Sequence, residues 1–273
     1  AEAGPRGDGP PEPGGLASPA LSPARMTLLA DDSASAREQV LRRVAEILAE
    51  SKGVVGIGSP RASLEGNFAL RTLVGPEAFH MGMSGPECRL VSSILEILRS
   101  GPAPPPSLEE VRSSDAVLVL GEDVTNTAPV LALALRQSVR QRPAKDAVAM
   151  GIPFWNDAAV REVVQQARGS LFVATVAPTR LDEVATECHR AAPDDLARLG
   201  FAVAGALSEE APKVDGLPSE EQALAERIAE ALREAERPLV VAGTGCGNEA
   251  VLQAAANVAW ALRSAGRPAA LSF

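Results

Sequence analysis

The chain has 273 residues, of which 46% are hydrophobic but only 3% aromatic, with no Tyr and a net charge of −9. A core of Ala, Val, Leu and Ile follows, which suits helices packed on a parallel sheet. The acidic balance, with no Lys/Arg run and few rings for base stacking, argues against nucleic acid as a partner; no apolar run approaches the ~20 residues that span a bilayer, so direct membrane insertion is not expected.

In chain order, residues 1–30 are low-complexity and rich in Pro, Gly and Ala, and are expected to be a disordered linker without the apolar stretch of a signal peptide. A helix is predicted from Asp31-Asp32-Ser33 onward, with Val40, Leu41, Val44, Ile47 and Leu48 at helical spacing. Gly53 ends it. Val54 to Ile57 reads as a short buried strand, and Gly58-Ser59-Pro60 turns the chain into a helix carrying Leu64, Phe68 and Leu73, closed by Gly75. A third helix is predicted over 86–100. A Pro-rich connector follows, and then Ser107 to Glu110, which reads as a capping box.

Ala116 to Leu120 is the most strand-like segment. Thr127 is expected to cap the helix after it, with Pro129 in the first turn. Further strands are predicted at 147–150 and 171–176, with a helix over 157–168 between them. Helices are predicted at 193–207 and 219–236, then a strand-helix-strand over 239–271. Alternating β and α units predict an α/β fold: a Rossmann-like, mostly parallel sheet with helices on both faces. Beyond the linker, the domain reading is a first α/β subdomain over 31–145 and a second over 146–236. A last strand-helix-strand over 237–273 then returns to the first sheet.

Two loops carry polar or glycine-rich patterns worth weighing as sites. Gly243-Thr244-Gly245-Cys246-Gly247 follows a strand and opens a helix, where backbone N–H groups can hold an anion. Its spacing is not G-x-G-x-x-G, so tight turning and close helix packing explain it as well. Gly121-Glu122-Asp123-Val124-Thr125-Asn126 lies at the carboxyl end of a strand, where open α/β sheets bind ligands. Glu122 and Asp123 either accept hydrogen bonds from a nucleotide or cap neighbouring backbone. His80 and His189 belong to no legible catalytic arrangement. Cys188 and His189 are neighbours that would diverge on a helix. Glu220-Glu221 and Asp194-Asp195 suit helix starts. Cys88, Cys188 and Cys246 lie far apart with no CxxC, so no iron–sulfur cluster is expected in this segment, and the thiols read as reduced and intracellular.

GIGSPRASLEGNFALRTLVG (56–75), VLVLGEDVTNTAPVLALALRQSVR (117–140) and RPLVVAGTGCGNEAVLQAAANVAWAL (237–262) resemble the large iron–sulfur subunit, the G subunit, of bacterial NADH:quinone oxidoreductase, respiratory complex I. FWNDAAVREVVQQARGSLFVATVAPTRLDEVA (154–185) resembles it too, so the likeness covers roughly 31–273. The GEDVTNTAP wording is its most specific part.

That resemblance implies a domain similar to the formate dehydrogenase and molybdopterin oxidoreductase core. In those enzymes the loop matching Gly121 to Pro129 contacts the pterin's guanine nucleotide, and the turn at Ser59 to Arg61 leads into a helix near it. Here the resemblance implies that the fold has outlived the cofactor. Ser59, Arg61, Gly121, Glu122, Asp123, Asn126, Gly243 and Gly245 would then be a vestigial cradle, with no catalytic residue, no metal ligand and no cofactor in this segment. Iron–sulfur clusters would sit in cysteine-rich domains elsewhere in the subunit. The partners would be other peripheral-arm subunits of complex I, at the cytoplasmic face of the inner membrane. The expected function is a scaffold for NADH-to-quinone electron transfer, and the chain reads as a fragment of the subunit. Two alternatives stay open: an active molybdopterin enzyme with Cys88 as metal ligand, and a free nucleotide-binding module using Gly243 to Gly247.

Overall fold

The structure is a computed structural model that describes residues 34–140, 150–152 and 169–273. The expected linker over 1–30, the cap at 31–33, the helix over 157–168 and the strand at 147–150, save its last residue, lie outside the described residues. The chain divides into two units at Gly82 and Met83.

In the first unit, helix α1 (Ala34–Glu50) is followed by strand β1 (Gly56–Ile57), helix α2 (Leu64–Val74) and strand β2 (Phe79–His80), which pairs in parallel with β1. Two sequence expectations fail here. The strand is two residues long rather than Val54 to Ile57, and it is not buried: Val55 is 63% and Ile57 71% exposed. Leu70 and Val74 of α2 cover only the Gly56 position of this short pair, and Val55 and Ile57 to either side of it stay in the open. The stripe of α2 is likewise in the open, with Leu64, Phe68 and Leu73 between 65% and 82% exposed. Helical periodicity reports amphipathicity; it does not supply the partner surface.

Local signals in this unit do hold. Ser63 caps α2 by accepting from the Gly66 amide at 3.0 Å. Gly75 closes the helix at φ 86°, a conformation that costs a residue with a Cβ.

The second unit is a three-layer α/β/α sandwich. Its elements are helices α3 (Gly85–Ser100) and α4 (Leu108–Arg112), strand β3 (Ala116–Leu120), helices α5 (Val124–Thr127) and α6 (Pro129–Ser138), and strands β4 (Ser170–Thr175) and β5 (Glu187–Arg190). Helices α7 (Pro193–Leu207) and α8 (Ser219–Glu234), strand β6 (Pro238–Ala242), helix α9 (Glu249–Ser264) and strand β7 (Ala270–Ser272) complete it. The strands run in the order β5-β4-β3-β6-β7, and every neighbouring pair is parallel. Strands from the spans 31–145, 146–236 and 237–273 thus share one sheet.

Why these residues form these layers follows from strand periodicity. Successive side chains point to opposite faces, so a strand covered on both faces must be apolar throughout. AVLVL of β3 and PLVVA of β6 are buried at every position. Ala116, Leu118 and Leu120, with Val240 and Ala242, face the layer of α3, α7, α8 and α9. Val117 and Val119, with Leu171, Val173, Leu239 and Val241, face Val111 of α4, Val124 of α5 and Leu135 of α6. Among the described residues no helix is long and apolar enough to cross a membrane.

Two further expectations are corrected. Thr127 does not cap the helix after β3. Asp123 caps α5 by accepting from the Thr125 amide at 3.1 Å, while the cap of α6, Ala128, makes no side-chain bond. Cys188 and His189 lie on a strand, β5, where they alternate across the sheet instead of diverging around a helix. That strand, ECHR, carries only one apolar-type residue and, among the described residues, pairs on one side only, so neither alternation nor an apolar run announced it.

Candidate functional site

The sheet changes direction between β3 and β6. From β3 the chain moves outward through β4 and β5, then returns to lay β6 and β7 on the other side. Ligands of open α/β sheets bind in the crevice at the carboxyl ends of the two strands flanking such a switch. In this chain those ends carry Gly121 and Glu122 after β3 and Gly243 to Gly247 after β6. Two of the sequence-predicted segments, 121 positions apart in number, therefore meet at one place.

Glycine makes the approach possible. Gly121 sits at φ 73°, donates its amide to the Ala174 carbonyl at 2.8 Å, and a Cβ on it would lie 2.7 Å from Val251 and 3.0 Å from the Cys246 sulfur. Only a residue without a side chain lets the end of β3 pass this close to the β6–α9 turn.

The next residue turns inward. Glu122 is 6% exposed, and its carboxylate spans the crevice. One oxygen, Oε2, accepts from the backbone N–H of Gly245 at 2.7 Å, and the other, Oε1, lies 3.0 Å from the Thr127 hydroxyl, whose single proton it shares as acceptor with the Asp123 carbonyl at 3.1 Å. A Cβ at Gly243 would collide with Oε2, and one at Gly245 would lie 2.8 Å from both carboxylate oxygens. The glycines of the turn thus leave room for Glu122. An unpaired buried carboxylate is costly, and two hydrogen bonds compensate it here.

Asp123 and Asn126 point to local backbone and to each other. Asp123 accepts from the Thr125 amide and hydroxyl through Oδ1, and from the Asn126 side chain at 2.6 Å through Oδ2. Behind the turn, Asn248 caps α9 by accepting from the Ala250 amide at 2.8 Å and donates to Asp194 at the start of α7 at 2.6 Å. Burial pushes the Cys246 thiol above its ordinary pKa, the amides of Asn248 and Cys246 pull it back, and the Glu122 charge raises it again.

The remaining predicted residues lie elsewhere. Ser59 and Arg61 belong to the first unit, where Asn67 pins the turn: the Ser59 amide donates to Asn67 Oδ1 at 3.0 Å, and Asn67 Nδ2 donates to the Ser59 carbonyl at 2.9 Å. Arg61 and His80 are exposed there. Cys88 is half-buried on α3 in the second unit, and among the described residues no three of His, Cys, Asp and Glu gather as a metal-ligand set. His189 Nε2 is buried without a hydrogen bond, 3.9 Å from Glu221. Sequence reasoning missed Thr127 as the partner of Glu122, and Asn67. It also missed the Thr179–Asp182 capping box, whose Asp182 pairs with Arg190 of β5, although Thr-x-x-Asp is a legible signal.

A search against family models finds no match. Single relatives are close. The chain is 52% identical to the G subunit of NADH-quinone oxidoreductase from Pseudomonas fluorescens over 239 residues, which cover 88% of this chain and 26% of that protein. It is 48% identical to the same subunit of Pseudomonas putida over 249 residues, and to that of Escherichia coli over 229 residues. The chain belongs to the family of NADH-quinone oxidoreductase G subunits. It spans about a quarter of the length of the G subunits it matches. Among solved structures, a formyltransferase/hydrolase complex from Methylorubrum extorquens superposes with a TM-score of 0.53 at 18% identity, covering 86% of this chain and 57% of that one. At that identity the likeness shows a shared fold only.

At this turn the chain supplies its own anion. The Gly245 N–H that a phosphate would use is occupied by a carboxylate of the same chain, and a second anion beside Glu122 would meet its charge in a poorly solvated place.

Proposed function

We propose that this chain is a non-catalytic α/β scaffold within the large iron–sulfur subunit of NADH:quinone oxidoreductase. It supports NADH-to-quinone electron transfer by positioning cluster-bearing parts of the subunit and docking other peripheral-arm subunits, at the cytoplasmic face of the membrane. Ser59, Arg61, Gly121, Glu122, Asp123, Asn126, Gly243 and Gly245 are, on this reading, a cradle kept as architecture.

The observation that supports it best is the position of Glu122. A catalytic α/β domain keeps the crevice at its switch point open to substrate or cofactor. Here the glycine turn and the loop after β3 are bonded to each other through a buried carboxylate. The dispersal of Cys88, Cys188 and Cys246 supports placing the iron–sulfur clusters elsewhere in the subunit.

Elemental analysis of the purified chain tests this. The expected result is no stoichiometric iron, molybdenum or tungsten after expression with all three supplied. Molybdenum or tungsten at one atom per chain, lost in a Cys88→Ala variant, would overturn the scaffold reading in favour of an active pterin enzyme.

A further inference from the structure

The glycine turn at the switch point has the features of an anion site, and its occupant is a residue of the chain. Three independent features coincide there. The turn lies where α/β sheets receive ligands, between the first-laid strand β3 and the returning strand β6. Its backbone offers an N–H, that of Gly245, in the glycine turn that leads into the sixteen-residue helix α9. And the volume above Gly243 and Gly245 holds a buried carboxylate, with its second oxygen on the Thr127 hydroxyl.

We propose that Gly243 to Gly247 with Thr127 form an oxyanion site matched to a carboxylate, permanently filled in this protein by the side chain of Glu122. The two donors address the two oxygens of one carboxylate: an N–H from beyond β6 and an O–H from beyond β3. Glu122 is thereby an internal ligand. It ties the loops across the switch point, and it prevents a free phosphate or carboxylate from entering.

The geometry favours a carboxylate over a phosphate as the matching chemistry. Thr127 Oγ1 and Gly245 N address one oxygen each, and the described residues bring no Lys or Arg hydrogen bond or ion pair to Glu122. At the neighbouring Gly121, the close contacts are likewise without charge: Val251 and the Cys246 sulfur.

Removing the occupant while keeping the donors tests this. In a Glu122→Ala variant the lost side chain leaves a space of about acetate size flanked by both donors. Thermal unfolding of the wild type, Glu122→Ala and Glu122→Gln is followed in sodium acetate, sodium phosphate and sodium chloride at equal ionic strength. The expected result is that the Glu122→Ala transition is lowered, and that acetate restores it with a midpoint that climbs with the logarithm of acetate concentration, as a ligand of the folded state must do. Phosphate should restore it less than acetate, and chloride not at all. The wild type and Glu122→Gln, whose cavity stays filled, should show no difference between acetate and chloride.

If Glu122→Ala does not fold in chloride, refolding yield from urea is measured in acetate, and recovery there but not in chloride is the expected result. Failure of acetate to stabilise or recover Glu122→Ala overturns the proposal, as does an equal response of the wild type. Neither result bears on metal content, which tests the scaffold reading separately.

Discussion

Helix α7 contains two glycines whose replacement by alanine should have opposite effects. A Cβ at Gly200 would lie 2.7 Å from Leu120 Cδ2 and 2.8 Å from the Ala254 Cβ, whereas one at Gly205 would meet nothing nearer than the Pro212 carbonyl at 3.7 Å. Leu120 and Ala254 are 0% exposed and cannot step aside into solvent. Helix α7 crosses α9 over this point, with the end of β3 beneath, so Gly200 sets how closely the covering layer approaches the sheet. Overpacking a well-filled core costs about 1–3 kcal/mol. Replacing a helical glycine by alanine returns about 0.5–1 kcal/mol, because the unfolded chain loses freedom.

Gly205→Ala should therefore stabilise by about 0.5–1 kcal/mol. Gly200→Ala should destabilise, because the packing cost exceeds that gain. Propensity cancels in the difference between the two variants, leaving the packing cost alone, about 1–3 kcal/mol. Urea unfolding at constant m-value measures it. Thermal midpoints should differ in the same sense, by about 2–4 °C per kcal/mol for a unit of this size. If the two variants shift by the same amount in the same direction, or Gly200→Ala is the more stable, the close crossing of α7 over β3 is refuted.

Two other outcomes follow from the electrostatics. Burial raises the Asp182 carboxyl, but hydrogen bonds from Arg190 and Thr179 outweigh it and hold the group below the usual carboxylate range. A depressed folded pKa contributes stability above the unfolded value of about 3.9, lost as pH falls through the folded value. Asp182→Asn should thus be less stable than the wild type near neutrality and should converge with it on acidification; parallel stability–pH curves for the two proteins would contradict the pairing. Cys246 is held protonated by burial first, and additionally by Glu122. Iodoacetamide should label it more slowly in the folded chain than in urea, with a rate still climbing above the pH at which an ordinary thiol levels off. Equal folded and unfolded rates would show that the turn does not enclose the sulfur.

Much of the second unit was readable in the amino-acid order. AVLVL and PLVVA can be buried only between two helical layers, so a parallel sheet covered on both faces follows from their composition. Local chemistry was readable for the same reason, since a cap such as Ser107–Glu110 needs only residues three apart. The wording around Gly121 to Pro129 carried the family.

The exposure of Leu64, Phe68 and Leu73 was not readable, because periodicity marks an apolar face without saying what covers it. Nor was β5, whose polar residues take their conformation from pairing with β4. The role of Glu122 was decided by tertiary structure alone. A carboxylate after a strand is equally suited to a ligand and to a neighbouring amide, and nothing near residue 122 in the chain tells which. Its partner, the Gly245 N–H, is 123 residues away, and only the laying of β6 against β3 brings donor and acceptor to 2.7 Å.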